Sequence, residues 1–305
     1  MNDGALSLIE GEIELNKILT FAFIGGDKRQ LCTASQIADA GYHVRVFGLD
    51  KDEMKLKDKV SKSAADCAVG ADVIVLPMPY TTDKSTVNAP FSDTPILLSE
   101  VTASAGKDTV IFAGKVDCIF EEMCRDAGVK VVDYAAREEL AVMNAIPTAE
   151  GAIAVAMTNT PYTLHGSRCL IIGYGKIGKV LSGTLKALGA DVTASARKYS
   201  DLAWIKTNGL SGVQTSAIGE IADRFDIIFN TVPSLVLNFK VLSKTKPDVL
   251  IIDLASRPGG VDFDTADDLN RKVIWALSLP GKVAPRTAGE IIRDTLLNIL
   301  EELGV

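Results

Sequence analysis

An α/β chain of two doubly wound parallel-sheet domains, facing each other across a cleft, is predicted by three observations. Short apolar runs alternate with helix-period segments along nearly the whole sequence, the pattern of parallel strands joined by crossover helices. One run, near the middle, leads into glycines at G-x-G-x-x-G spacing and then into a helix. The 305 residues exceed what one such sheet requires. Two domains are therefore expected, over 1–145 and 146–286. A last helix over 287–305 should pack back on the first domain, by analogy with other two-domain chains of this class.

In the first half, residues 5–19 read as a short amphipathic helix or arm. Residues 19–24 (L-T-F-A-F-I) form the first strand, followed by Gly25 to Gln30 and a helix to about Ala40, which Gly41 ends. Strands are then expected at 42–48, 73–76, 95–98, 109–113 and 129–132, with a helix over 121–127. Gly25-Gly26 lacks the third glycine of the dinucleotide fingerprint, so this half is assigned to the substrate side. Residues 137–160 link the halves. Thr148 is expected to cap a helix there, with Glu150 in its first turn, and the small apolar residues 151–157 suit a helix packed between domains.

In the second half, residues 169–172 form a buried strand. Gly173, Gly175 and Gly178 follow, then a helix carrying Ile177, Val180, Leu181, Leu185 and Leu188 at helical spacing, then a strand over 191–195. Each glycine has a physical reason: a tight turn off the strand, close approach of a pyrophosphate, and close packing of helix on sheet. The helix N-terminus offers unpaired N–H groups and a partial positive charge to phosphates. The reading is a Rossmann-like dinucleotide site built on Gly173, Tyr174, Gly175, Lys176, Ile177 and Gly178. Later strands are expected at 227–230, 249–254 and 273–277, and a final amphipathic helix over 287–303.

The end of the second strand of this unit selects the cofactor. An acid there usually bonds the ribose 2′-hydroxyl of NAD. Here the sequence is T-A-S-A-R-K, with Ser195, Arg197 and Lys198 in that place. A carboxylate would repel a 2′-phosphate, whereas Arg197 can grip one bidentately and Lys198 adds a point charge. NADP(H) is therefore favoured, with NAD(H) as the alternative.

Ligands of open parallel sheets lie beyond the carboxyl ends of the strands. That rule places Thr231, Pro233, Leu279 and Pro280 beside the cofactor. It places Asp253, Ser256 and Arg257 with the chemistry. Gly26, Asp27, Arg29, Thr81 and Thr82 face them from the first domain, and Lys282 and Arg286 add cations. Arginines on such loops suit a small dicarboxylate, for which Gly26, Arg29, Thr81, Thr82, Arg257 and Lys282 are the candidate contacts. Asp27 and Asp253 are candidate bases, or else each ties its own loop by accepting backbone N–H bonds. The two histidines, His43 and His165, each precede a strand and fall at the opposite edge. A lactate-type mechanism, which needs a histidine acid at the carbonyl, is disfavoured.

With 39 acids against 32 bases the net charge is −7, which gives no general attraction to nucleic acid or anionic membrane. No apolar run is expected to reach the ~20 residues of a membrane span, and the acidic N-terminus does not read as a signal peptide. Five cysteines, an odd number without a C-x-x-C pair, read as buried thiols in a reducing compartment, with no metal site.

Several stretches taken together resemble the family of the dipicolinate synthase A subunit. They are I-G-G-D-K-R-Q (24–30), N-A-I-P-T-A-E-G (144–151), Y-T-L-H-G-S-R (162–168), the glycine loop, D-L-A-S-R-P-G-G-V-D-F (253–263) and L-P-G-K-V-A-P-R-T-A-G (279–289). The resemblance spans residues 18–303. It implies an NADP-dependent oxidation of 4-hydroxy-tetrahydrodipicolinate, or its dehydrated form, to dipicolinate in the mother-cell cytoplasm of a sporulating bacterium. It also implies a partner, the dipicolinate synthase B subunit, which resembles flavin-dependent decarboxylases; a homo-oligomer is a further open arrangement. The competing readings are a D-2-hydroxyacid-type dehydrogenase and a non-catalytic nucleotide-binding regulatory subunit.

Overall fold

A computed structural model describes residues 18–49, 56 and 59–304. The arm expected over 5–19 thus lies, apart from Ile18 and Leu19, outside the described residues.

The first sheet comprises β1 (Thr20–Ile24), β2 (His43–Phe47), β3 (Val73–Val75), β4 (Val110–Ala113) and β5 (Lys130–Asp133). All pairings are parallel, in the order β2-β1-β3-β4-β5. Successive side chains alternate between two buried faces. Phe21, Phe23, Val73, Val75 and Phe112 pack into one cluster, and Ala22, Ile24, Ile74 and Ile111 into the other. Burial of both faces is why the strands read as continuous apolar runs.

The second sheet comprises β6 (Arg168–Ile172), β7 (Asp191–Ala196), β8 (Ser211–Gln214), β9 (Ile227–Asn230), β10 (Leu250–Asp253) and β11 (Lys272–Trp275). Its order is β11-β10-β9-β6-β7-β8, again parallel throughout. The strand order reverses between β6 and β9, and in the first sheet between β1 and β3. Reversal sends neighbouring crossover helices to opposite faces and opens a crevice at the carboxyl edge.

The chain crosses between the sheets twice. Helices Glu138–Met143 and Ala145–Asn159 carry it over. The last helix, Pro285–Leu303, lies against the helix Lys28–Asp39 of the first half, where Thr33 Oγ1 donates to the Gly289 carbonyl at 3.0 Å. Its Ile291, Ile292, Leu296, Ile299 and Leu300 are buried in the first-half core. Arg137 holds its far end with a bidentate grip on Glu302, at 2.7 and 2.6 Å.

Several expectations are corrected. Residues 95–98 are not a strand: Leu97 makes a single bridge to Thr86 and Leu98 opens the helix Leu98–Ser104. Thr148 caps nothing. Its helix already opens at Ala145, with Asn144 in the N-cap position, and Thr148 Oγ1 instead donates to the Asn144 carbonyl at 2.7 Å. Strand β8 and the helix Tyr199–Thr207 were not legible, because S-G-V-Q has too little apolar content to read as a strand. Finally, the helical stretch Glu138–Asn159 has the length and composition to cross a membrane, with a mean hydropathy of 1.5. Its Ala149, Ala152, Ile153 and Ala156 are nevertheless buried in the second-half core, the other setting in which an all-round apolar helix occurs.

Candidate active site

The turn after β6 is dictated by glycines. Gly173 sits at φ +96°, and a Cβ there would lie 2.6 Å from Thr231 Oγ1. Gly178, in the first turn of the helix Lys176–Ala187, would place a Cβ 2.1 Å from the Gly173 carbonyl oxygen. Gly175 differs: its Cβ would meet nothing within 4 Å. Protein atoms crowd the first and third glycines, while the second faces open space at a helix N-terminus. That is the shape a dinucleotide pyrophosphate needs.

The loop opens on a cavity of about 790 Å³. Of the residues expected to hold the cofactor, Gly173, Tyr174, Gly175, Lys176, Arg197, Lys198, Thr231 and Pro233 line it. Thr231 is pinned by its hydroxyl, which donates to the Ile172 carbonyl at 2.8 Å. Arg197 and Lys198 are exposed at the end of β7 and make no ion pair among the described residues. Ile177 is half-buried against the core. Ser195 departs from expectation. It is fully buried, and its hydroxyl receives the Gly173 N–H at 3.4 Å, so it supports the turn from beneath. Leu279 and Pro280 are likewise buried, Leu279 in the second-half core against Gly151.

In the loop after β10, Asp253 takes the second of the two parts expected for it, tying its own loop. Asp253 is wholly buried. Oδ1 accepts from Asn230 Nδ2 (2.8 Å) and Ala255 N–H (3.0 Å), and Oδ2 from Gly260 N–H (2.9 Å). These bonds tie β9 to β10 and fold the loop. At its tip Ser256 and Arg257 are exposed. The Arg257 guanidinium lies 5.8 Å from the centre of the Trp275 ring and has no acid partner among the described residues.

On the facing edge, Asp27 caps the helix Lys28–Asp39 by accepting the Arg29 N–H at 2.9 Å. The Arg29 side chain turns back on Asp27 (2.8 Å) and donates to the Met78 carbonyl (2.9 Å). Neither Asp27 as a free base nor Arg29 as a free carboxylate grip is supported in this arrangement, since each satisfies the other. Gly281 rests on the pair, its Cβ position 3.1 Å from Arg29 Nε, and Lys282 beside it is exposed. Gly26 spends its N–H on the Asn88 carbonyl. Thr81 Oγ1 donates to the Thr86 carbonyl at 2.6 Å. That loop is organised by Asp83, which hydrogen bonds from Thr86 and Ser85 hold far below the usual carboxylate range. Thr82 is exposed.

Arg286 lies elsewhere, lining a separate hollow with Cys32, Gln36 and Asp39. His43 begins β2 and His165 precedes β6, both exposed at the amino edges. Among the described residues no three of His, Cys, Asp and Glu gather as a metal site.

Two relationships at the site escaped the sequence. Glu138, from the linking helix, reaches Lys176 at 2.9 Å and forms one wall of the cavity. Asn230 is the buried partner of Asp253. Glu138 lies 38 residues before Lys176 with no motif to join them. Asn230, a polar residue ending an apolar strand, was the one visible signal.

Comparison with known proteins agrees with this geometry. The family model for the N-terminal domain of the dipicolinate synthase A subunit matches residues 20–135. That for the D-isomer specific 2-hydroxyacid dehydrogenase NAD binding domain matches residues 144–271. The dipicolinate synthase A subunit of Bacillus subtilis (strain 168) is 36% identical over 93% of this chain and 97% of its own length. A crystal structure of dipicolinate synthase, A chain, from Bacillus subtilis superposes with a TM-score of 0.83, at 36% identity, covering 94% of this chain and 97% of that one. That of the A subunit from Bacillus halodurans gives 0.80 at 29% identity, over 92% and 97%. The second half is thus a nicotinamide-dinucleotide-binding domain of dehydrogenase type.

Proposed function

The chain belongs to the dipicolinate synthase A subunit family, and from that premise we propose that it converts 4-hydroxy-tetrahydrodipicolinate, by loss of water, or its dehydrated form directly, to pyridine-2,6-dicarboxylate, with a hydride given up to NADP⁺ and a proton to solvent. One observation carries this reading. A glycine cradle for a dinucleotide opens at the same sheet edge where Arg257, without an acid partner among the described residues, lies on Trp275. A bound nicotinamide supplies the hydride acceptor. The chain's own part is to hold a flat, doubly charged ring in place. Arg257 and Ser256 offer donors to one carboxylate, and Lys282 a cation from the next loop. Aromatisation makes the oxidation favourable, so positioning matters more than protonation of a carbonyl. Histidines at the far edge are compatible with that chemistry. Asp253 and Asn230 set the shape of the Arg257 loop and take no part in proton transfer. The phosphorylated cofactor is supported by Arg197 and Lys198 in place of an acid at the end of β7.

In this reading residues 1–145 form the substrate-side domain and 146–286 the cofactor domain, with 287–305 returning to the first. The flavoprotein-like B subunit is the assembly partner, in the mother-cell cytoplasm. The test is the purified chain with NADP⁺ and 4-hydroxy-tetrahydrodipicolinate, followed by reduced-nicotinamide absorbance with and without that partner. Absorbance growth in the chain alone is expected. No growth in either arm, or turnover of 2-keto acids with the reduced cofactor instead, would overturn it.

A further inference from the structure

Arg197 is part of two cavities. Its inner side faces the hollow over the glycine loop. Its outer side borders a second hollow of about 550 Å³, which shares Thr215 and Val236 with the first and is lined further out by Asn238, Lys240 and Lys244. The two lysines stand one helical turn apart, on and just after the short helix Phe239–Leu242. Both are exposed, and neither makes an ion pair among the described residues. Their neighbour Lys246 is different: it is committed to Asp226 at the base of the sheet. Among the described residues, Glu220 is the one carboxylate in the lining, against three cations. In a chain of net charge −7 that concentration of positive charge runs against the background. A phosphate monoester carries about −1.5 to −2 at neutral pH, which matches the local excess.

We propose that Lys240 and Lys244 form the outer wall of a subsite for the 2′-phosphate of the cofactor's adenosine ribose. They act with Arg197 as specificity-determining residues. The inference rests on the phosphorylated-cofactor reading above and extends it to a loop that carries no recognised cofactor motif. The phosphate sits where the two cavities meet, gripped by the guanidinium and flanked by the exposed lysine side chains. The attraction is largely electrostatic and solvent-exposed, so it weakens with salt.

The test is titration of the full chain with 2′,5′-ADP and with 5′-AMP, probes that differ only by the phosphate in question. Wild type should bind 2′,5′-ADP more tightly. K240A/K244A should lose about five- to tenfold in that margin while 5′-AMP affinity and thermal stability stay unchanged. The charge-reversed K240E/K244E should remove the margin altogether. If R197A abolishes the margin and the lysine variants keep it, the outer wall is wrong and the cofactor reading survives. If wild type shows no margin at all, both fall.

Discussion

Gly178 lies so close to Gly173 that a Cβ on it would stand 2.1 Å from the Gly173 carbonyl oxygen. The obstacle is backbone, which cannot rotate away. Gly178→Ala should therefore lower stability by about 1–3 kcal/mol and weaken dinucleotide binding with it. Gly175→Ala is the contrast. Its φ of −79° suits any residue and its Cβ meets open space. It should keep wild-type stability and lose cofactor affinity. Thermal unfolding with a parallel cofactor titration separates the two; equal melting temperatures would show that the overlap at Gly178 is relieved.

Arg197→Ala should weaken NADP(H) by roughly 10- to 100-fold, as loss of hydrogen bonds to a charged group implies, with NAD(H) little changed. Direct titration of both cofactors decides it. Equal losses would mean that Arg197 does not read the phosphate.

Arg257 lies on Trp275 without an acid partner among the described residues. Arg257→Ala should raise KM for the dicarboxylate about tenfold or more and leave cofactor affinity unchanged. Arg257→Lys should restore only part, because an ammonium neither stacks on the indole nor forks to a carboxylate. A collapse of cofactor binding would put Arg257 on the cofactor side of the cleft.

Asp253 is buried and accepts three hydrogen bonds. In Asp253→Asn an amide N–H₂ would face an N–H donor. The expected result is a stability loss of about 1–3 kcal/mol, with activity falling through disorder of the Arg257 loop. A variant of wild-type stability with abolished kcat would restore Asp253 as a base.

Asp226 tests the acid limb of stability. Partial burial pushes its pKa up, but hydrogen bonds from Lys246 and the Arg168 N–H outweigh that and leave it lowered. The folded chain then binds fewer protons than the unfolded one near the ordinary value of about 3.9. The contribution is full above that pH and is lost as pH falls through the depressed folded value. Asp226→Asn should flatten the melting-temperature curve on that side. An unchanged acid limb would show that the carboxylate is not held down.

Much of this was legible beforehand, for reasons that lie in particular residues. Cys169 to Gly178 announce a strand, a phosphate turn and a helix, because both faces of the strand are buried and crowding admits only glycine at two places. A-S-A-R-K, across the end of β7, shows no acid in that place. Other expectations met side chains already taken up by neighbours, some close in the chain and some distant. Arg29 is spent on Asp27 and the Met78 carbonyl, Ser195 is turned under the Gly173 turn, and Thr81 closes its own loop on Thr86.

Local chemistry alone determined the alternation of strands and helices, the glycine turn and the sign of charge at the ribose end. Each of those depends on residues within a few positions of one another, whose sterics and periodicity act whatever surrounds them. Only the packed fold decided which charged groups stay available. It buried Asp253, paired Asp27 with Arg29 and brought Glu138 across to Lys176. It also left Arg197, Arg257, Lys240 and Lys244 without acid partners among the described residues. Whether a charge is satisfied depends on what lies within a few ångströms of it in space, and sequence distance does not encode that.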